Sequence, residues 1–149
     1  MIAALMLLMP LLATSQSLGW SPTEIEEKLV KDGKYYEKGY DDDGDYYIYV
    51  HENVYYHLRL EVKEGICQLM TLLVFNETAQ KQFREVIAKN GKYYTKGCYL
   101  LRAKESGMDM IWQPAPVNET AKSTGLKYMW WIFYKDGPYD DVTTQYNQY

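Results

Sequence analysis

Two histidines, two cysteines and one acidic run are the groups in these 149 residues whose type and spacing offer chemistry. His51 and His57 flank a reversal centred on Asn53, and strand alternation puts both on one face of the hairpin, diagonal to each other. Two imidazoles so placed could share zinc or copper with Glu61 or a nearby Asp as third ligand, or titrate together as a pH-sensitive spot. A plain pair of surface histidines accounts for them as well. The run Asp41-Asp42-Asp43-Gly44-Asp45 suggests calcium, which an EF-hand loop binds with Gly at its sixth position and Glu at its twelfth. Counted from Asp41, the sixth residue is Tyr46 and the twelfth Glu52, so half the pattern is present. Asp43-Gly44 is better explained as a hairpin turn. No metal and no cofactor is therefore assigned.

Cys67 and Cys98 lie in strand-like runs, Ile66-Cys67-Gln68-Leu69 and Cys98-Tyr99-Leu100-Leu101. In an oxidising compartment they are disulfide candidates, and closing a loop of about 30 residues would add roughly 3 to 4 kcal/mol in the chain-entropy model. The other reading makes both of them small buried hydrophobes. Neither has a histidine beside it in sequence to activate a thiolate. No Gly-x-Ser-x-Gly, His-Glu-x-x-His or Gly-rich phosphate loop is present, and the chain is read as leaning away from catalysis. A hydrolase built on a carboxylate pair is the third reading, since such pairs meet in space and leave no spacing rule.

The strongest signal is aromatic: 16 Tyr and 4 Trp, with the doublets Tyr35-Tyr36, Tyr46-Tyr47, Tyr55-Tyr56, Tyr93-Tyr94 and Trp130-Trp131. In an alternating strand a doublet puts one ring on each face. One ring enters the core and the other lies outside, and Tyr47, Tyr49 and Tyr55, with His57 and Arg59, fall on the outer face. Such rings offer rigid contact area with a polar tip, which suits a protein partner or a homodimer. The same chemistry suits a small ligand or glycan, with Trp112 or Trp130 as stacking platform. A cross-strand aromatic ladder that simply stabilises the sheet is the plain alternative.

The elements that must position these residues are marked along the chain. Asp32-Gly33-Lys34-Tyr35-Tyr36-Glu37-Lys38-Gly39 returns as Asn90-Gly91-Lys92-Tyr93-Tyr94-Thr95-Lys96-Gly97, and a short helical pattern precedes each copy. Ser21-Pro22-Thr23-Glu24 is a capping-box start, followed by the stripe Ile25, Leu29 and Val30. Asn76-Glu77-Thr78 opens the second helix, whose stripe is Ala79, Phe83, Val86 and Ile87. Between the helices the period switches to two: Tyr46, Ile48 and Val50, then Tyr56, Leu58, Leu60 and Val62. Pairing the apolar sets places Val50 opposite Tyr56, Ile48 opposite Leu58 and Tyr49 opposite His57. Glu64-Gly65 turns the chain into residues 66–75, nearly all apolar, which read as a central strand. Further strands are expected at 99–103, 110–113 and 127–134, with a loop at 114–124.

The fold class is thus α+β: an antiparallel sheet of about six to seven strands with two helices on one face, built from two pseudo-duplicated helix-plus-meander halves. This element order is similar to tandem helix-plus-meander domains such as β-lactamase-inhibitory protein and PepSY-type modules, a resemblance that implies fold alone.

Residues 1–15 are uncharged and apolar and end in Ala13-Thr14-Ser15, which reads as a secretory signal peptide too short to span a bilayer. The expected organisation is a leader at 1–15, one domain at 16–138 and a flexible tail at 139–149 of an exported protein, periplasmic or secreted. A net charge of −4 argues against a nucleic-acid footprint and disfavours an anionic membrane surface. Asn76-Glu77-Thr78 and Asn118-Glu119-Thr120 fit glycosylation sequons, but an ordinary cap is the favoured reading.

Overall fold

Alternating apolar and polar residues dictate most of the chain, and they produce an antiparallel sheet of eight strands with few helices. The computed structural model describes residues 17–30, 35–40, 42, 46–52, 54–102 and 107–141. Residues 1–16, the acidic run apart from Asp42, Asp32, Gly33, Lys34, Asn53, Ala103 and residues 142–149 lie outside the described residues. So do the side chains of Leu29, Val30 and Tyr35.

Helix α1, Pro22–Ile25, starts as its sequence requires and continues as a π-helical turn over Glu26–Val30. Glu24 N donates to Ser21 Oγ at 3.2 Å while Ser21 N donates to the Glu24 carboxylate at 2.8 Å. The Ser21 backbone bond holds the Glu24 carboxyl below its ordinary range. Helix α2, Glu77–Asn90, is capped by Asn76, whose Oδ1 accepts from Ala79 N at 3.0 Å. Its buried residues, Ala79, Gln80, Phe83 and Ile87, recur at helical spacing and form one stripe. Gly91 ends it through close approach: a Cβ there would come within 2.8 Å of both the Ile87 carbonyl and Leu101. A third short helix, α3 over Glu119–Ser123, sits in the stretch expected to be loop and is capped by Asn118.

The strands are β1 Tyr35–Tyr40, β2 Tyr46–His51, β3 Tyr56–Lys63, β4 Ile66–Val74, β5 Lys92–Tyr93, β6 Tyr99–Arg102, β7 Asp109–Ala115 and β8 Tyr128–Tyr134. Their order is β1-β2-β3-β4-β8-β7-β6-β5, antiparallel throughout. The strand count exceeds the expected six to seven because the repeated octapeptide contributes an edge strand each time. Its first copy runs into β1 at one edge, and its second forms β5 at the other. The copies diverge in backbone. Lys38 and Gly39 stay in β1, whereas Lys96 (φ 48°) and Gly97 (φ 79°) form a tight turn closed by Cys98 N donating to the Thr95 carbonyl at 2.7 Å.

Glu64 (φ 55°) and Gly65 (φ 79°) make the two-residue turn between β3 and β4. The β2–β3 register differs from expectation by two residues: Val50 faces Leu58, Ile48 faces Leu60 and Tyr49 faces Arg59. The connection after His51 is longer than a turn centred on Asn53, and a two-residue shift keeps every side chain on its intended face, so alternation alone could not detect it. In β4 the register breaks once, with Glu61 facing Leu69 and Val62 facing Cys67. The extra residue, Gln68, donates to the Lys63 carbonyl at 3.0 Å.

One face of the sheet is covered. Ile48, Val50, Tyr56, Leu58, Leu60, Met70, Leu72, Trp112, Trp130 and Ile132 form the main core with Ile25, Phe83 and Ile87 from the helices. Fully burying each aliphatic side chain in it contributes about 1.5–3 kcal/mol. A smaller cluster, Cys98, Ile111 and Phe133 with Leu69, Trp131 and Tyr139 against it, lies on the opposite face, as strand alternation requires.

Cys67 belongs to the first cluster and Cys98 to the second, so the two thiols lie on opposite sides of the sheet and both are free. The disulfide between them does not form: a bridge needs Cβ atoms about 3.8 Å apart, and the sheet separates these. The chain also remains packed beyond the expected boundary at residue 138. Asp140 is buried and accepts from Asp136 N at 2.7 Å.

Candidate functional site on the open sheet face

The side of the sheet facing away from α1 and α2 displays the odd-numbered residues of β2 and β3: Tyr47, Tyr49, His51, His57, Arg59 and Glu61. All are half-buried, and several of them touch one another. Gly39 on β1 faces Tyr47, and a Cβ at Gly39 would lie 3.2 Å from the Tyr47 hydroxyl, so the absent side chain makes room for the phenol to lie across the edge strand. The Arg59 guanidinium stacks over the Tyr47 ring at 4.3 Å and bonds Glu61 through Nε at 3.2 Å. Gly39, Tyr47, Arg59 and Glu61 therefore form one layered unit.

Beside it, the Tyr49 hydroxyl lies 2.7 Å from His57 Nδ1. The two-residue register shift brings His51 and His57 side by side instead of diagonal, with ring centroids 4.2 Å apart. Phe75 closes the row 4.6 Å from His57. Burial, and then the Glu37 carboxylate across the strand, push the Tyr49 phenol above its ordinary pKa. The phenol thus stays protonated at neutral pH and is able to donate. Among the described residues no group of three or more His, Cys, Asp or Glu is gathered that could hold a metal ion.

Four of the five residues read as the site from sequence, Tyr47, Tyr49, His57 and Arg59, come together. Tyr55 does not. It is 40% exposed, precedes β3, and lines a hollow beside the start of α2 with Asn76, Thr78, Ala79 and Gln82. The longer β2–β3 connection takes it off the sheet, where its carbonyl accepts from Phe75 N at 2.8 Å. Trp112 and Trp130 are not stacking platforms either. Trp112 is fully buried beneath the helices, and Trp130 is buried with its Nε1 donating to Gln80 Oε1 at 3.1 Å. The indole on the open face is its neighbour Trp131, opposite Gln113 and Thr71.

Gly39 and Phe75 belong to the site but were not selected from sequence, and Glu61, read there as a possible third metal ligand, instead pairs with Arg59. Gly39 carries a readable signal, a glycine inside a Tyr-rich strand, which marks a place where another group approaches the backbone closely.

Comparison of the chain with protein-family models, curated proteins and solved structures returns no match.

Proposed function

We propose that this protein is a non-enzymatic binding module whose open sheet face, centred on Tyr47, Tyr49, His57 and Arg59, seats a protein surface, with a second copy of the chain as the simplest occupant. One observation carries this reading: both longer helices pack on one side of the sheet, and an ordered aromatic and charged array remains on the other. Rigid rings with polar tips lose little freedom on contact, which is why Tyr and Arg recur at interface centres. A face carrying both Arg59 and Glu61 also offers complementary charges to its own image, as an isologous dimer requires.

The two halves are read as a duplicated helix-plus-meander unit. Support comes from the strand order, in which four strands follow α1 and four follow α2, and from the octapeptide recurring at both sheet edges. Export is proposed on residues 1–15 and is checked by the mature mass of the protein made in an exporting host. Among the described residues no helix is long and apolar enough to cross a membrane.

Analytical ultracentrifugation of the full chain over a concentration series tests the interface. A reversible dimer that Tyr49→Ser together with Tyr47→Ser abolishes, while circular dichroism is unchanged, supports it. Tyr55→Ser, which lies off the face, should leave the dimer intact. If the protein is a monomer at all concentrations and affinity capture from its native compartment returns no partner sensitive to the Tyr49 change, the reading fails.

A further inference from the structure

We propose that the hollow between Trp131 and Tyr139 is a binding site for one neutral sugar ring, separate from the Tyr47 and Tyr49 unit and independent of it. The hollow has a volume of about 240 Å³ and is lined by Leu69, Gln113, Trp131, Phe133, Tyr139 and Asp141. Register fixes its floor: Trp131 faces Gln113 across β7 and β8, and Phe133 faces Leu69 across β8 and β4. Its wall is the segment after β8, where Asp136 (φ 62°) turns the chain back. Asp136 N donates to the Asp140 carboxylate and Asp140 N to the Gly137 carbonyl, at 2.7 and 3.1 Å. This folded return holds Tyr139 against Cys98, Ile111 and Phe133, so the wall exists before any ligand arrives.

Three features define the ligand. The Tyr139 hydroxyl is buried and finds no hydrogen-bond partner among the described residues. The described residues thus leave the hydrogen-bonding capacity of this wall phenol unused. The lining pairs flat apolar surface, Trp131 and Phe133, with an amide, a carboxylate and a phenol. That combination matches a ring with apolar C–H faces and hydroxyls around its rim, because amide and carboxylate take adjacent hydroxyls in pairs. Among the described residues no Lys or Arg lines the hollow; Lys63 sits 5.3 Å from the Tyr139 ring centroid without entering the lining. Among the described residues Asp141 is the only charged lining group, and it repels an anionic ligand. Drug-sized sites occupy roughly 300–1,000 Å³, and this hollow is below that range, which suits a single ring.

The test uses the full chain and the methyl glycosides of glucose, galactose, mannose and N-acetylglucosamine at millimolar concentration. Tryptophan emission and saturation-transfer NMR are the readouts. At least one glycoside should bind saturably, with affinity falling about tenfold or more in Gln113→Ala and in Trp131→Ala and retained in part in Trp131→Phe, which keeps a ring if the alanine variant unfolds. Tyr49→Ser should bind as the parent does, so that loss of the partner interface and loss of this site are told apart. The proposal is overturned if none of the four glycosides binds saturably, or if binding survives undiminished in Gln113→Ala and Trp131→Phe.

Discussion

The Tyr49 hydroxyl bonds His57 Nδ1 at 2.7 Å even though the residue directly across from Tyr49 is Arg59. The bond is diagonal across the hairpin, and it joins β2 to β3 through side chains on the face that no helix among the described residues covers. The protonated phenol can donate to Nδ1 or accept from it, and the imidazole tautomer sets which. Tyr49→Phe should therefore keep the ring packing and lose only this bond, lowering stability by about 0.5–1.5 kcal/mol in urea titrations at pH 7.5. A larger loss would show that the hydroxyl organises more of the face than its one partner.

The Trp130 indole N–H and Gln80 Oε1 form a buried bond between β8 and α2. Gln80→Ala removes the acceptor and strands the donor in the core, so it should cost about 1–3 kcal/mol. Gln80→Glu keeps an acceptor but introduces charge. Measured side by side in guanidinium melts, both should be less stable than the parent. Parent-like stability in Gln80→Ala would mean the indole finds another acceptor.

Burial pushes the Cys67 thiol up to about 12, and the Cys98 thiol is raised by burial as well. The folded state thus prefers the protonated thiol. Above the unfolded value of about 8.5 the unfolded chain has lost protons that the native chain still holds. The stabilisation from Cys67 is complete below that value and is lost as pH rises from there toward the folded value. Thermal midpoints should fall between pH 9 and 12 more steeply in the parent than in Cys67→Ala, whose absolute stability is lower at every pH. Ellman's reagent at pH 8 should find neither thiol fast-reacting in the native protein, and both on denaturation.

Asn76 and Asn118 cap helices of very different weight. Helix α2 buries Phe83 and Ile87, whereas α3 is five residues long and buries none. Asn76→Ala should cost about 1 kcal/mol of global stability, and Asn118→Ala only local fraying visible by hydrogen exchange. Equal global costs would contradict this ranking.

Much of the fold could be read from local pattern. The capping box at Ser21, the cap at Asn76, the tight turn at Glu64 and Gly65 and the alternation in β2 and β3 all follow from rules that act within a few residues. What the pattern left open depends on distance along the chain. The two-residue slip between β2 and β3 preserves facing, so hydrophobicity could not register it, yet it decides that His51 meets His57 and that Tyr55 leaves the site. The sides taken by Cys67 and Cys98 depend on the Gln68 bulge and on the turn at Lys96, neither of which composition signals. Trp130 and Trp131 were known to point opposite ways, but which of them meets the helices was set by β8 pairing with β4.

That pairing also orders events in time. Strand β4 is completed only by β8, with Val74 meeting Tyr128 and Leu69 meeting Phe133. A nascent chain that has made its first four strands therefore carries an apolar strand with one side unpaired until β8 has emerged. Closing so long a loop before any contact repays it is slow, on the order of milliseconds to seconds for sheet-dominated topologies.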